Sequence, residues 1–119
     1  MILVDTSVWV DHLRKGDTAL SNLLEAEKIL CHPLVVGELA LGMLRNRRKI
    51  LSSLQDLPQA DVASHDEVMA FIEKASLYGK GIGLIDAHLL ASCLITGCPL
   101  WTKDARLRSV AEMVGASVY

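Results

Sequence analysis

The sequence predicts an α/β sandwich with a mainly parallel sheet. Three observations lead there: short apolar runs that read as strands, segments with helical periodicity and caps, and their alternation through most of the chain. Ile2-Leu3-Val4 opens as a short buried strand, and Asp5-Thr6-Ser7 behind it is a run of favoured N-cap residues. A helix follows from Val8 to about Arg14. Asp17-Thr18 caps a second, with Leu20, Leu23 and Leu24 at helical spacing. Ile29-Leu30-Cys31 reads as the second strand.

Pro33, whose fixed φ suits a first helical turn, opens a helix over residues 33–45. It is apolar almost all round, and Glu38 is its only charge before Arg45. A helix with a basic start over 47–57, a weak strand near 60–63 and a helix from 65 or 66 to 78 come next. Gly79, Gly81 and Gly83 form a loop, and residues 85–96 a helix. Residues 100–102 read as a strand, 104–113 as a helix and 117–119 as a last short strand. There is no repeat, low-complexity stretch or linker, so residues 1–119 are expected to form one domain around one core.

Composition sets the class. The chain is 51 % hydrophobic but only 4 % aromatic, so its core must be aliphatic. Mean hydropathy is +0.34, yet charges interrupt every apolar run before the ~18 to 20 residues that a bilayer span needs. The first fifteen residues lack a basic n-region and carry Asp5 inside their apolar stretch, unlike a signal peptide. The expectation is a soluble, cytoplasmic protein with no membrane association. Cys31, Cys93 and Cys98 fit small buried thiols kept reduced, and Cys93-x4-Cys98 is not a CxxC spacing. The four histidines form no HxxxH or HExxH pattern and read as structural or solvent-facing, not as zinc ligands.

Four carboxylates stand apart: Asp5, Glu38, Asp86 and Asp104. Each follows a strand or lies on the apolar side of a helix, where a lone charge is costly and must neutralise, pair or bind a cation. On the helix from about 85, a period of 3.6 puts Asp86 with Leu90, Cys93 and Gly97, and puts His88 and Ser92 on the opposite, polar side. Glu38 shares its face with Leu34, Val35, Leu41 and Gly42; pairing with Arg45 is the competing account. Taken alone, Asp86 also reads as an acid stabilised by a helix dipole, and Asp5 and Asp104 as ordinary N-caps. Together the four suit a single pocket at the C-terminal edge of a parallel sheet, where ligands bind. Hard oxygen donors of this kind select Mg²⁺ or Mn²⁺.

The net charge of -2 by itself argues against nucleic acid, but setting those four acids aside leaves 12 Lys and Arg against 10 Asp and Glu. The basic residues also cluster: Arg14-Lys15, then Arg45, Arg47, Arg48 and Lys49, then Lys103, Arg106 and Arg108. Basic clusters around an acidic, metal-binding centre suit a phosphodiester substrate. Solvated helix faces are the plainer alternative for each cluster alone.

Val4-Asp5-Thr6-Ser7, Gly37-Glu38-Leu39, Asp86-Ala87-x-Leu89-x-Ala91 and Thr102-x-Asp104 occur in this order across nearly the whole chain. In these motifs the sequence resembles a PIN-domain ribonuclease of the VapC toxin type. One departure is Leu107, where relatives often carry Phe; it bears on packing and not on the acids. The resemblance implies a three-layer α/β/α sandwich with a small, mainly parallel sheet. It also implies Mg²⁺-dependent endonucleolytic cleavage of RNA, homodimerisation and inhibition by a cognate antitoxin. Under it, Asp5, Asp86 and Asp104 are metal ligands, with Glu38 binding directly or through water. Ser7 and Thr102 become supporting hydroxyls, and Arg45, Arg47, Arg48, Lys49, Lys103 and Arg106 contacts to the RNA backbone.

Rival readings fare less well. A receiver-type phosphoacceptor module needs an acidic pair after its first strand and an Asp ending a mid-chain strand, but only Asp5 follows the first strand and no strand precedes Asp56. Gly79-x-Gly81-x-Gly83 follows a helix and lacks the third glycine of GxGxxG, so it is no dinucleotide fingerprint. A nuclease of this fold that processes RNA without an antitoxin remains open.

Overall fold

In the computed structural model, which describes residues 1–119, strands β1 (Ile2–Val4), β2 (Ile29–Leu30) and β3 (Leu100–Trp101) form one parallel sheet in the order β2-β1-β3. Ile2 pairs with Ile29 and Leu3 with Leu30 on one side; Leu3 pairs with Leu100 and Val4 with Trp101 on the other. Single parallel bridges, Cys31 to Gln59 and Leu100 to Val118, extend the two edges. Successive strand residues point to opposite faces, yet Ile2, Leu3 and Val4 are all buried. Both faces are therefore covered, which gives the three-layer α/β/α arrangement.

The seven helices are α1 (Thr6–Lys15), α2 (Thr18–Glu25), α3 (Pro33–Ala40), α4 (Arg47–Gln55), α5 (His65–Lys74), α6 (Leu84–Thr96) and α7 (Ala105–Met113). Their starts are written locally. Asp17 accepts from Leu20 N, Ser64 and Glu67 form a reciprocal capping box, and the Nδ1 of His32 accepts from Leu34 N at 3.0 Å. Gly97, at φ +73, ends α6, and its N–H and that of Cys98 both reach Cys93 O. The core is aliphatic, built on Leu3, Leu20, Ile29, Leu89, Leu90, Leu100 and Leu107, and all three cysteines are free and buried. No helix is long and apolar enough to cross a membrane.

Five sequence expectations need correction. The helix expected over 33–45 stops at Ala40: the N–H groups of Leu41 and Gly42 close its last turn on the carbonyls of Gly37 and Leu39, and the Arg47 guanidinium bonds the carbonyls of Ala40 and Gly42 beyond it. The helix expected to reach residue 78 stops at Lys74, with Ser76 at φ +54. The strands expected over 60–63 and 117–119 shrink to single bridges, the first at Gln59. His88 and Ser92 are buried, not on a polar face, because α6 is enclosed from Ala87 to Cys93 on all sides.

His32 has a consequence for stability. It is fully buried, and its ring lies 6.3 Å from that of His88. Burial, with His88 as a smaller contribution, pushes its imidazole down to about 4. Between pH 6.5 and about 4 the unfolded chain therefore binds a proton that the native chain refuses, so stability falls as the pH drops through that window. The full effect is roughly 3 kcal/mol. His32→Asn keeps a capping side chain but cannot titrate. Its Tm should fall less than that of the wild type between pH 7 and pH 5; parallel losses would show that His32 is not the group responsible.

Candidate active site at the C-terminal edge of the sheet

From the central strand the chain leaves β1 toward β2, whereas it leaves β3 in the other direction, toward the bridge at Val118. The crevice beyond the C-terminal ends of β1 and β3 is thus the switch point of the sheet. Asp5 follows β1 directly, and Thr102 and Asp104 follow β3.

Asp5 is only 5 % exposed. Its Oδ1 accepts from Thr6 N at 2.7 Å, and its Oδ2 accepts from Ser7 Oγ at 2.9 Å and Thr102 Oγ1 at 2.6 Å. Thr102 Oγ1 in turn accepts from Asp104 N at 3.0 Å, and Ser7 Oγ from Lys103 N at 3.0 Å. Three donors and no cation hold this carboxylate in place. Asp104 N-caps α7, its Oδ1 accepting from Arg106 N and Leu107 N.

Glu38, half-buried on α3, accepts from Thr6 Oγ1 at 2.7 Å. Thr6 was not singled out in the sequence as a partner of Glu38, and nothing local signals it, because the two are 32 residues apart. Asp86 Oδ2 accepts from Gly83 N at 3.1 Å. The N-cap-to-N3 spacing of Gly83 and Asp86 is the signal that could have found it. Burial raises the Asp86 carboxyl above the usual range, against the Gly83 hydrogen bond, and the charges of Asp5, Asp104 and Glu38 raise it further. All four acids therefore share one field.

No cation neutralises that field. The protein's two ion pairs, Arg14 at 3.3 Å and Lys103 at 2.6 Å, both fall on Asp11. Glu38 does not pair with Arg45. Nor do the acids form a closed cage, for no three acid, His or Cys side chains are gathered at ligand spacing. Each carboxylate instead turns to its own hydrogen-bond donors, as mutually repelling charges do.

The basic candidates divide by their existing duties. Arg47 is held by backbone carbonyls and Lys103 by Asp11, whereas Arg45, Arg48, Lys49 and Arg106 have no acidic partner. Arg45 also lines a cleft of about 630 Å³ between α1 and α4, together with Glu38, Val10, Leu13, Met43 and Ile50.

Residues 2–113 match the PIN domain family model. The chain is 45 % identical over 119 residues to Ribonuclease VapC32 of Mycobacterium tuberculosis, in strains CDC 1551 / Oshkosh and H37Rv, covering 99 % of this chain and 96 % of that protein. Among solved structures it resembles FitAcB from Neisseria gonorrhoeae, with a TM-score of 0.66 and 21 % identity over 100 % of this chain and 96 % of that one. FitAB bound to an IR36 DNA fragment superposes with a TM-score of 0.64 and 19 % identity, covering 100 % and 94 %. At these identities the structural likeness concerns the fold.

Asp86 gives a direct test of the shared field. Its ionised form is disfavoured by burial and by three like charges, so removing the charge relieves the metal-free fold. In EDTA at pH 7, Asp86→Asn, which can still accept from Gly83 N, should melt above the wild type. A Tm equal to or below that of the wild type would mean that the four acids do not repel one another.

Proposed function

The chain belongs to the PIN-domain family, and on that premise we propose that it is a divalent-metal-dependent endoribonuclease, the toxin of a toxin–antitoxin pair. The observation that carries this reading is the cation-free group of Asp5, Glu38, Asp86 and Asp104 at the switch point of the sheet. Membership of this family sets aside the receiver-type alternative.

The donor set suits Mg²⁺, with Mn²⁺ as a substitute: it consists of hard carboxylate oxygens and has no thiolate or imidazole in it. Asp5, Asp86 and Asp104 would hold the ion, with Glu38 direct or through water. Bound there, such an ion supplies charge stabilisation at the phosphate and a more acidic water.

The chain's own residues supply the positioning. Ser7 and Thr102 lock the Asp5 carboxylate by two hydroxyl donors on one oxygen. Thr6 fixes one oxygen of Glu38 and leaves the other free. Gly83 does the same for Asp86. Exposed Arg45, Arg48, Lys49 and Arg106, with Arg47 and Lys103, offer charge to the RNA backbone on either side.

Partners follow from the surface. Leu41 and Met43 stand fully in solvent beside the Glu38 cleft, an apolar edge that suits a cognate antitoxin or a second copy of the chain. Three free thiols suit a reducing, cytoplasmic setting for this single domain of residues 1–119.

Purified protein with Mg²⁺ should cut a structured RNA, EDTA should stop the cutting, and Asp5→Asn, which keeps an acceptor oxygen for the surrounding donors, should be folded but inactive. Cleavage that survives Asp5→Asn would place the activity elsewhere. Light scattering addresses the partners: the chain should be dimeric and should form a larger complex when co-expressed with the product of a neighbouring small gene. A monodisperse monomer that ignores that product would indicate a solitary RNA-processing nuclease.

A further inference from the structure

We infer that the cleft between the Gly79–Gly83 loop and α7 seats one unpaired nucleotide of the RNA, next to the scissile phosphate, with Lys80 and Arg106 on its phosphate and Met113 under its base. This rests on the ribonuclease reading of the acid centre and adds to it a subsite.

The cleft measures about 580 Å³ and is lined by Lys80, Arg106, Ser109, Val110, Met113 and Ala105. Lys80 and Arg106 have no acidic partner, since both ion pairs of the protein end on Asp11. Arg106 nevertheless packs against the glycine loop. Gly81 sits at φ +79, and a Cβ built on it would lie 2.9 Å from Arg106 Cδ and 3.1 Å from Nη1. The arginine stem thus lies against bare backbone, and glycine is required there for its left-handed conformation.

The same two elements hold two of the four acids. Gly83, two residues beyond Gly81 and so within ~7 Å along the chain, donates its N–H to Asp86, while the N–H of Arg106 itself goes to Asp104 Oδ1 at 2.9 Å. The cleft therefore opens beside the acid centre, within the reach of an adjoining nucleotide. A guanidinium packed this way presents paired donors to a phosphate. Met113, 51 % exposed, and Val110 give an apolar floor for a base, and the Ser109 hydroxyl a polar contact at its edge. Bases stacked in a duplex cannot enter such a seat, whereas unpaired ones can.

The test measures binding of a fluorescein-labelled single-stranded RNA hexamer, and of the matching duplex, by anisotropy in EDTA over a range of salt. The single strand should bind the wild type more tightly than the duplex. Arg106→Ala and Lys80→Ala should each weaken single-strand binding, lower the salt slope by about 1 and leave the Tm unchanged. Gly81→Ala should mimic Arg106→Ala, and Arg106→Lys should recover part of the loss. If both alanine variants bind the hexamer with wild-type affinity and slope, the subsite is wrong, while metal-dependent cleavage by the wild type would keep the ribonuclease reading standing. If the wild type cuts no RNA, that reading falls irrespective of the binding data.

Discussion

One buried, ionisable carboxylate organises this protein. Asp5 loses nearly all contact with water and gains no positive neighbour, so its charge rests on three hydrogen bonds from Thr6, Ser7 and Thr102. Leaving such a group unsatisfied costs several kcal/mol. The hydroxyl from Thr102 comes from 97 residues away, so β1 and β3 must lie side by side in register before Asp5 can be buried. The neighbouring acids are tied to the same frame. Thr6 donates to Asp5 through its backbone and to Glu38 through its side chain, and Thr102 joins Asp5 to the backbone of Asp104.

That frame explains where the basic residues go. Lys103 leaves β3 beside the centre, yet it is drawn off by Asp11 at 2.6 Å, and Arg47 is taken up by carbonyls at the end of α3. Neither neutralises the four acids, which stay available to a cation. The glycine loop before α6 works in the same sense, since Gly83 steadies Asp86 without bringing a charge to it.

Much of this was legible in the sequence because its causes are local. Short apolar runs, N-caps such as Asp17 and Ser64, and the four isolated acids give the α/β order and the candidate centre. Through-space effects were not legible. Nothing near Ala40 announces that Arg47 will fold back onto the end of α3, although Gly42 is a local stop signal, and Glu38 offers no local hint that it faces Thr6 and not Arg45. His88 and Ser92 look polar-facing on a helical wheel, but α6 is packed on every side between Ala87 and Cys93, and a wheel cannot see a second covering layer. The edge pairings at Gln59 and Val118 are single bridges, too short for any periodicity to mark.

The central claim is that Asp5, Glu38, Asp86 and Asp104 bind one divalent centre together. The most direct measurement is Mn²⁺ binding, followed by electron paramagnetic resonance, in the wild type and in Asp5→Asn, Glu38→Gln, Asp86→Asn and Asp104→Asn. The account predicts that the wild type binds Mn²⁺ at a defined stoichiometry and that each of the three Asp→Asn changes weakens that binding at least tenfold, with Glu38→Gln weakening it less. Wild-type affinity retained in both Asp5→Asn and Asp86→Asn would contradict it.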